Sequence, residues 1–301
     1  RQVTGRFIAV SGALPSFERI AADQPDQVGY NPGLSGLILN FGRVYFEWKR
    51  PGGTLTLTMD ARGERFAPPV QIARIAAVDR ASPLFTFARD GDTERWTVAR
   101  PALTKDGSRW LPVRQAAPYV AETFQVLCAA QGIGLPKAEI AASLPAGAAE
   151  ILRHESRPLT EILRDMLRYS TNVTAEAVGL TASGAGTLTG SARAMQEWAE
   201  ARLGLSAHFV DHSGLGAAAR VTPGGMVRAL IAGRATRSGA ALPAILRDMG
   251  MRDAEGKQLK SSPTRVPAKT GTLNFASGLA GFIQPPKGRE LAFAIFSADV
   301  P

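Results

Sequence analysis

Ala268-Lys269-Thr270-Gly271-Thr272-Leu273, close to the end of a 301-residue chain, is the stretch on which the reading turns. It opens a β pattern that runs from Lys269 to Ile283, turns at Pro285-Pro286-Lys287-Gly288 and returns through Leu291 to Ser297. This predicts a terminal hairpin with Lys-Thr-Gly at the start of its first strand. Upstream, Leu159, Ile162, Leu163, Met166 and Leu167 follow the i, i+3, i+4, i+7, i+8 spacing of an amphipathic helix. That helix leads straight into Ser170-Thr171-Asn172. A Ser-x-Asn triplet alone says nothing, and Lys-Thr-Gly is only uncommon. Their order and settings, the first at a helix–loop junction and the second on a strand, carry the weight.

Outward from these segments, residues up to about 115 read mostly as β. Val44, Phe46 and Trp48 alternate with Tyr45, Glu47 and Lys49, the period of a half-buried strand. Pro51-Gly52-Gly53 is a turn, Thr54–Thr58 is extended again, and Arg95–Ala99 is another short strand. The pattern changes near Pro118. Tyr119, Val120, Phe124, Leu127 and Cys128 share a helical face that stops at Gly132. A helix is expected from about Ser191 to Leu203, with Met195 and Trp198 inward and Gly204 closing it. Thr222-Pro223 opens another through Met226 and Leu230. A β-rich front, a helical middle and a closing hairpin make an α+β chain.

Composition narrows the function. With 45% hydrophobic and 20% charged residues the chain can bury a sizeable core. No apolar run approaches the ~18 residues of a membrane-spanning helix, so no transmembrane segment is expected. A single cysteine, Cys128, leaves no intrachain disulfide and no thiolate metal cluster. Three histidines without HExxH argue against a zinc hydrolase. The formal charge of +9 favours anionic partners, but the cations are mostly scattered arginines without an aromatic-basic motif. A solvated basic surface is expected, with no nucleic-acid partner.

Taken together, these segments resemble the low-molecular-mass penicillin-binding D-alanyl-D-alanine carboxypeptidases/endopeptidases, of the class with a large insertion in the catalytic domain (class C). Ser170-Thr171-Asn172-Val173-Thr174-Ala175-Glu176 is similar to that family's Ser-x-Asn helix start. Asp211-His212-Ser213-Gly214-Leu215 resembles its Asp-Gly-Ser-Gly-Leu segment, with His212 in place of a glycine. Arg220-Val221-Thr222-Pro223, the Lys-Thr-Gly segment and Ser277–Phe282 also fit. The resemblance implies a penicillin-binding/β-lactamase-like catalytic domain, an antiparallel sheet with helices, over residues 116–301. It implies a β-rich inserted domain over residues 1–115, both domains being partial.

The implied activity is that of a serine-type peptidase acting on peptidoglycan stem peptides through an acyl-enzyme. β-Lactams would trap the same serine. Export to the periplasm is implied, and no metal or organic cofactor. Ser170 would relay a proton toward the leaving amine, and the Asn172 amide would hold the base lysine and the substrate peptide group. Lys269 would meet the substrate's terminal carboxylate, with a hydrogen bond from Thr270 or Thr272. Gly271 would let a ligand backbone approach closely. Strand side chains alternate, so Lys269 and Thr270 point to opposite faces and can serve one site only around a strand edge.

Other segments carry less. Asp211-His212-Ser213 reads as a turn, since adjacent residues cannot align nucleophile, base and orienter. Glu176 reads as a structural carboxylate and Cys128 as inert core. Gly184-Ala185-Gly186 with Gly190 misses the dinucleotide spacing.

One departure is decisive for chemistry. The lysines are Lys49, Lys105, Lys137, Lys257, Lys260, Lys269 and Lys287, and none has a serine three positions before it. In the resembling family the nucleophilic Ser-x-x-Lys precedes the insertion, so it is expected upstream of Arg1. Two other readings stand beside this one: a β-lactamase or esterase of the same superfamily, and a non-catalytic wall-binding homologue. On the first reading the 301-residue chain forms no stable adduct with a labelled penicillin, whereas a longer chain carrying Ser-x-x-Lys does. Stable labelling of the 301 residues alone would refute the upstream assignment.

Overall fold

The chain's structure, a computed structural model, describes residues 1–259 and 261–298. Lys260, one of the lysines scanned above, and residues 299–301 lie outside the described residues. Contacts divide the chain into two compact units. The first holds Arg1–Ile151 and Glu176–Thr181, and the second Leu152–Ala175 and the chain from Ala182 onward.

Within the first unit the elements are β1 (Phe7–Val10), β2 (Arg43–Lys49), β3 (Thr56–Asp60), β4 (Ala73–Val78), β5 (Phe85–Asp90), β6 (Thr93–Ala99), β7 (Gly107–Pro112), α1 (Ala116–Ala130) and β8 (Ala138–Ala141). The expected alternation holds in β2, where Val44 and Phe46 are fully buried and Arg43, Tyr45 and Glu47 beside them are part-exposed. β2 pairs antiparallel with β3 on one side and β7 on the other. A second sheet runs β4-β6-β5, with β4 parallel to β6. Val44, Phe46, Trp96, Val98, Leu111, Val113 and Tyr119 close one shared core. Tyr119 is enclosed, and its hydroxyl donates to the Arg43 carbonyl (3.0 Å). Farther along α1 the expected face fails. Phe124 is 51% exposed, its ring 5.7 Å from that of Phe7, and Cys128 is a part-buried thiol instead of a core residue.

A buried carboxylate opens α1. Glu94 Oε1 accepts the backbone N–H groups of Arg114 and Gln115, each at 2.7 Å, just ahead of the helix. Burial raises its pKa to about 7, against the opposing pull of those two donors and of Arg114.

The second unit carries α2 (Leu159–Tyr169), the ends of α3 (Asn172–Ser183), α4 (Leu188–Leu203), β9 (Ala207–His208), β10 (Arg220–Val221), α5 (Pro223–Arg234), α6 (Leu242–Ile245), β11 (Arg247–Asp248), β12 (Pro267–Leu273), β13 (Ala276–Ile283) and β14 (Leu291–Ala298). The Thr222 cap forms as read, its hydroxyl accepting the Gly225 N–H (3.1 Å). α4 starts earlier than expected, capped by Thr187. Trp198 is 56% exposed instead of inward, because Ser191, Ala192 and Ala199 form the buried stripe and small side chains allow close approach there.

The last strands form an antiparallel sheet, β11-β12-β13-β14. The run from Lys269 to Ile283 is two strands, not one. They reverse at Asn274-Phe275, with Leu273 opposite Ala276. Phe275 holds φ 66°, a left-handed position that glycine or asparagine normally fills, and Asn274 before it is the one turn-forming residue of the reversal. α5 lies against β14 and β13, and the short α6 touches both α2 and β12.

The first unit's stability should follow Glu94. Its pKa is higher folded than unfolded, so its contribution is complete below about pH 4.5 and is lost as pH rises through about 7. Urea unfolding at pH 5 and pH 8 should differ by about 3 kcal/mol from this group, and Glu94→Gln should flatten the difference.

Candidate active site

The second unit places the Ser-x-Asn triplet on a sharp junction. Ser170 caps α2 in the left-handed region (φ 54°, ψ 52°), and its N–H donates to the Met166 carbonyl. For a non-glycine residue this conformation costs about 1 kcal/mol. It reverses the chain so tightly that α3 begins two residues later, at Asn172, with the Ala175 N–H donating to the Thr171 carbonyl (3.1 Å).

The Lys-Thr-Gly strand meets that junction directly. Lys269 Nζ donates to Ser170 Oγ at 2.9 Å, across a sequence separation of 99 residues, and to the Thr270 carbonyl at 2.5 Å. The ammonium is half-buried, and burial holds its pKa below the usual lysine value. α6, in contact with both α2 and β12, braces the two segments.

Strand pairing answers the problem of alternating faces. β12 pairs with β13 along its length, but β11 reaches only Pro267 and Ala268. Among the described residues no strand covers the other edge from Lys269 to Leu273. Thr270 and Thr272 are exposed on the face opposite Lys269. A ligand lying along the open edge reaches groups from both faces. Gly271 shares the face of Lys269, and a Cβ there would meet nothing within 4 Å. The chain's own packing therefore does not demand glycine at 271, and the space beside it is open.

Asp211 behaves as a turn residue. It is buried, its Oδ1 accepting the N–H groups of Gly214 (2.5 Å) and Leu215 (3.2 Å) and its Oδ2 that of Gly216 (2.6 Å). His212 faces away from a triad geometry. Its Nε2 lies 2.7 Å from the buried Ser191 Oγ, which lies 2.8 Å from Ser183 Oγ, while Nδ1 sits 3.2 Å from Met195 Sδ. Burial lowers the His212 pKa, with Asp211 opposing. Nothing in the sequence pointed to this chain of hydroxyls, whose members lie on α4, the end of α3 and the 211–216 loop. Among the described residues no cluster of three or more His, Cys, Asp or Glu is placed to hold a metal ion.

The fold is that of penicillin-binding proteins. Penicillin binding protein 4 (dacB) from Haemophilus influenzae superposes on 100% of this chain and 70% of its own, with TM-score 0.74 and 18% identity. The same protein complexed with a β-lactam gives TM-score 0.64 at 19% identity, over 88% of this chain and 64% of its own. No curated protein sequence matches the chain. The sequence pattern of the D-Ala-D-Ala carboxypeptidase 3 (S13) family, however, spans residues 18–300, and the chain belongs to that family.

The half-buried ammonium gives a direct check. In competitive amine labelling followed by mass spectrometry from pH 8 to 11, Lys269 should titrate at lower pH than a free lysine side chain. An equal or later titration would contradict the desolvated position.

Proposed function

We propose that the whole protein is a serine-type D-Ala-D-Ala carboxypeptidase/endopeptidase, working in the periplasm on peptidoglycan stem peptides and inhibited by β-lactams. The observation that carries this is the Lys269–Ser170 hydrogen bond beside an open strand edge. The reading of residues 1–115 as an inserted domain belongs to the same proposal.

The chemistry assigned to this chain is binding and proton handling. A terminal carboxylate lying along the open edge of β12 meets the Lys269 ammonium in a charge-assisted hydrogen bond. The Thr270 or Thr272 hydroxyl adds a second donor, and the open space at Gly271 admits the peptide backbone. Ser170 Oγ already accepts an N–H of Lys269, so its own proton points away from the ammonium. In that orientation it can pass to the leaving D-alanine nitrogen as the C–N bond breaks, while Ser170 Oγ takes in its place the proton that the base lysine removed from the nucleophilic serine. Asn172, two residues on, presents an amide to the substrate peptide group and to the base lysine of the Ser-x-x-Lys pair. That pair supplies the serine that becomes acylated, and water then resolves the ester.

The test uses the full-length protein and an N-acylated peptide ending in D-Ala-D-Ala, with released D-alanine as the readout. Lys269→Ala should lower kcat/KM about 100-fold, equivalent to about 3 kcal/mol of transition-state stabilisation. Ser170→Ala should lower kcat far more than it alters KM. Unchanged turnover in Lys269→Ala would overturn the assignment.

A further inference from the structure

The first unit carries a second constellation, on the side of β2 turned away from the core. Arg43, Tyr45 and Glu47 project there, opposite the buried Val44 and Phe46. Asp60 and Trp110 flank Tyr45 in the pairing register. The side chains form a continuous stack. The Arg43 guanidinium lies 5.4 Å from the Phe41 ring and 5.1 Å from the Trp110 ring. Trp110 meets Tyr45 edge-on at 5.0 Å, and the Arg62 guanidinium covers Tyr45 at 4.2 Å. Arg62 is held by Asp60 (2.6 Å) and lies 3.8 Å from Glu47.

One end of the stack is strained. Asn40, Phe41 and Gly42 take successive positive φ values of 50°, 58° and 69°. A bulky residue in that region costs about 1–2 kcal/mol, and here burial does not offset it, because Phe41 is 48% exposed. Strain held at an exposed aromatic points to a ligand.

We propose that this face binds a carbohydrate, the glycan backbone of peptidoglycan, with a sugar ring lying on the exposed Phe41 ring and its neighbours running along Trp110 and the Arg62 guanidinium that caps Tyr45. The choice of that glycan rests on the function proposed above. The ligand class rests on the face itself. The exposed Phe41 ring offers an apolar platform, and two guanidiniums and the Glu47 carboxylate supply both donors and acceptors, as a hydroxyl-rich neutral polymer requires, while buried Asp60 holds Arg62 in place. An interface built for a protein would be depleted of Asp and Glu at its centre, yet Asp60 and Glu47 are integral to this stack. A surface for a polyanion would not set carboxylates among its arginines. From Arg43 to Glu47 the strand runs on the order of 13 Å, room for more than one sugar ring.

The probe is chitotetraose, a peptide-free β-1,4-linked N-acetylglucosamine tetramer, titrated calorimetrically against the full-length protein. Wild type should bind saturably. Phe41→Gly should weaken binding at least fivefold while raising the melting temperature, because the ring is lost and the left-handed strain is relieved together. Phe41→Leu, which keeps the strain and removes the ring, should weaken binding without that stabilisation. Absence of saturable binding by wild type, or binding by both variants as tight as that of wild type, would overturn the proposal. So would a self-association, seen in sedimentation, that Phe41→Gly abolishes without any glycan binding. D-alanine release is measured in parallel. Release intact with no glycan binding refutes this inference alone, and glycan binding without release refutes the carboxypeptidase reading alone.

Discussion

A lysine ammonium and a serine hydroxyl 2.9 Å apart tie the end of α2 to the start of β12. Both partners are held there at a cost. Ser170 sits in a left-handed conformation, and Lys269 has given up part of its hydration. A charge-assisted hydrogen bond offsets some of that desolvation, and α6, packed on both segments, keeps the two from drifting. The same junction starts α3 at Asn172, while the two-residue β11 leaves the edge of β12 uncovered beyond Ala268. The hydroxyl–amide corner thus follows from one chain reversal, and the open edge beside it from a short neighbouring strand.

The two units use polar groups in contrasting ways. In the first, Glu94 is enclosed and answers two backbone N–H groups at the head of α1, while the outer face of β2 spreads arginines over aromatic rings. In the second, Asp211 folds a loop on its own carboxylate, and His212, where the resembling family has glycine, joins a run of hydroxyls. Adjacent residues of one sequence motif thus do unrelated work: Asp211 closes a turn, and His212 reaches α4.

Much of the fold was legible where local chemistry acts alone. Period-two alternation in β2, the threonine cap of α5 and the glycine stop of α4 are short-range effects and formed as read. The failures share a cause. Trp198 and Phe124 are apolar at helical spacing, yet both stay exposed because packing partners, not periodicity, decide which stripe is covered. The reversal at Asn274-Phe275 was missed because Asn274, a lone turn former, is followed by a phenylalanine at the position that the rules assign to glycine.

What the sequence determined by itself was the class of protein: a helix running into Ser170-Thr171-Asn172, a later strand carrying Lys269-Thr270-Gly271, and the absence of any Ser-x-x-Lys between Arg1 and Pro301. Residue identity and order suffice for that, since each triplet needs only its own helix or strand. Which side chains touch was settled in three dimensions. Ser170 and Lys269 are 99 residues apart, and Arg43, Arg62 and Trp110 come from three separate segments. Contacts between such distant positions depend on strand register and chain reversal, and no local pattern encodes either.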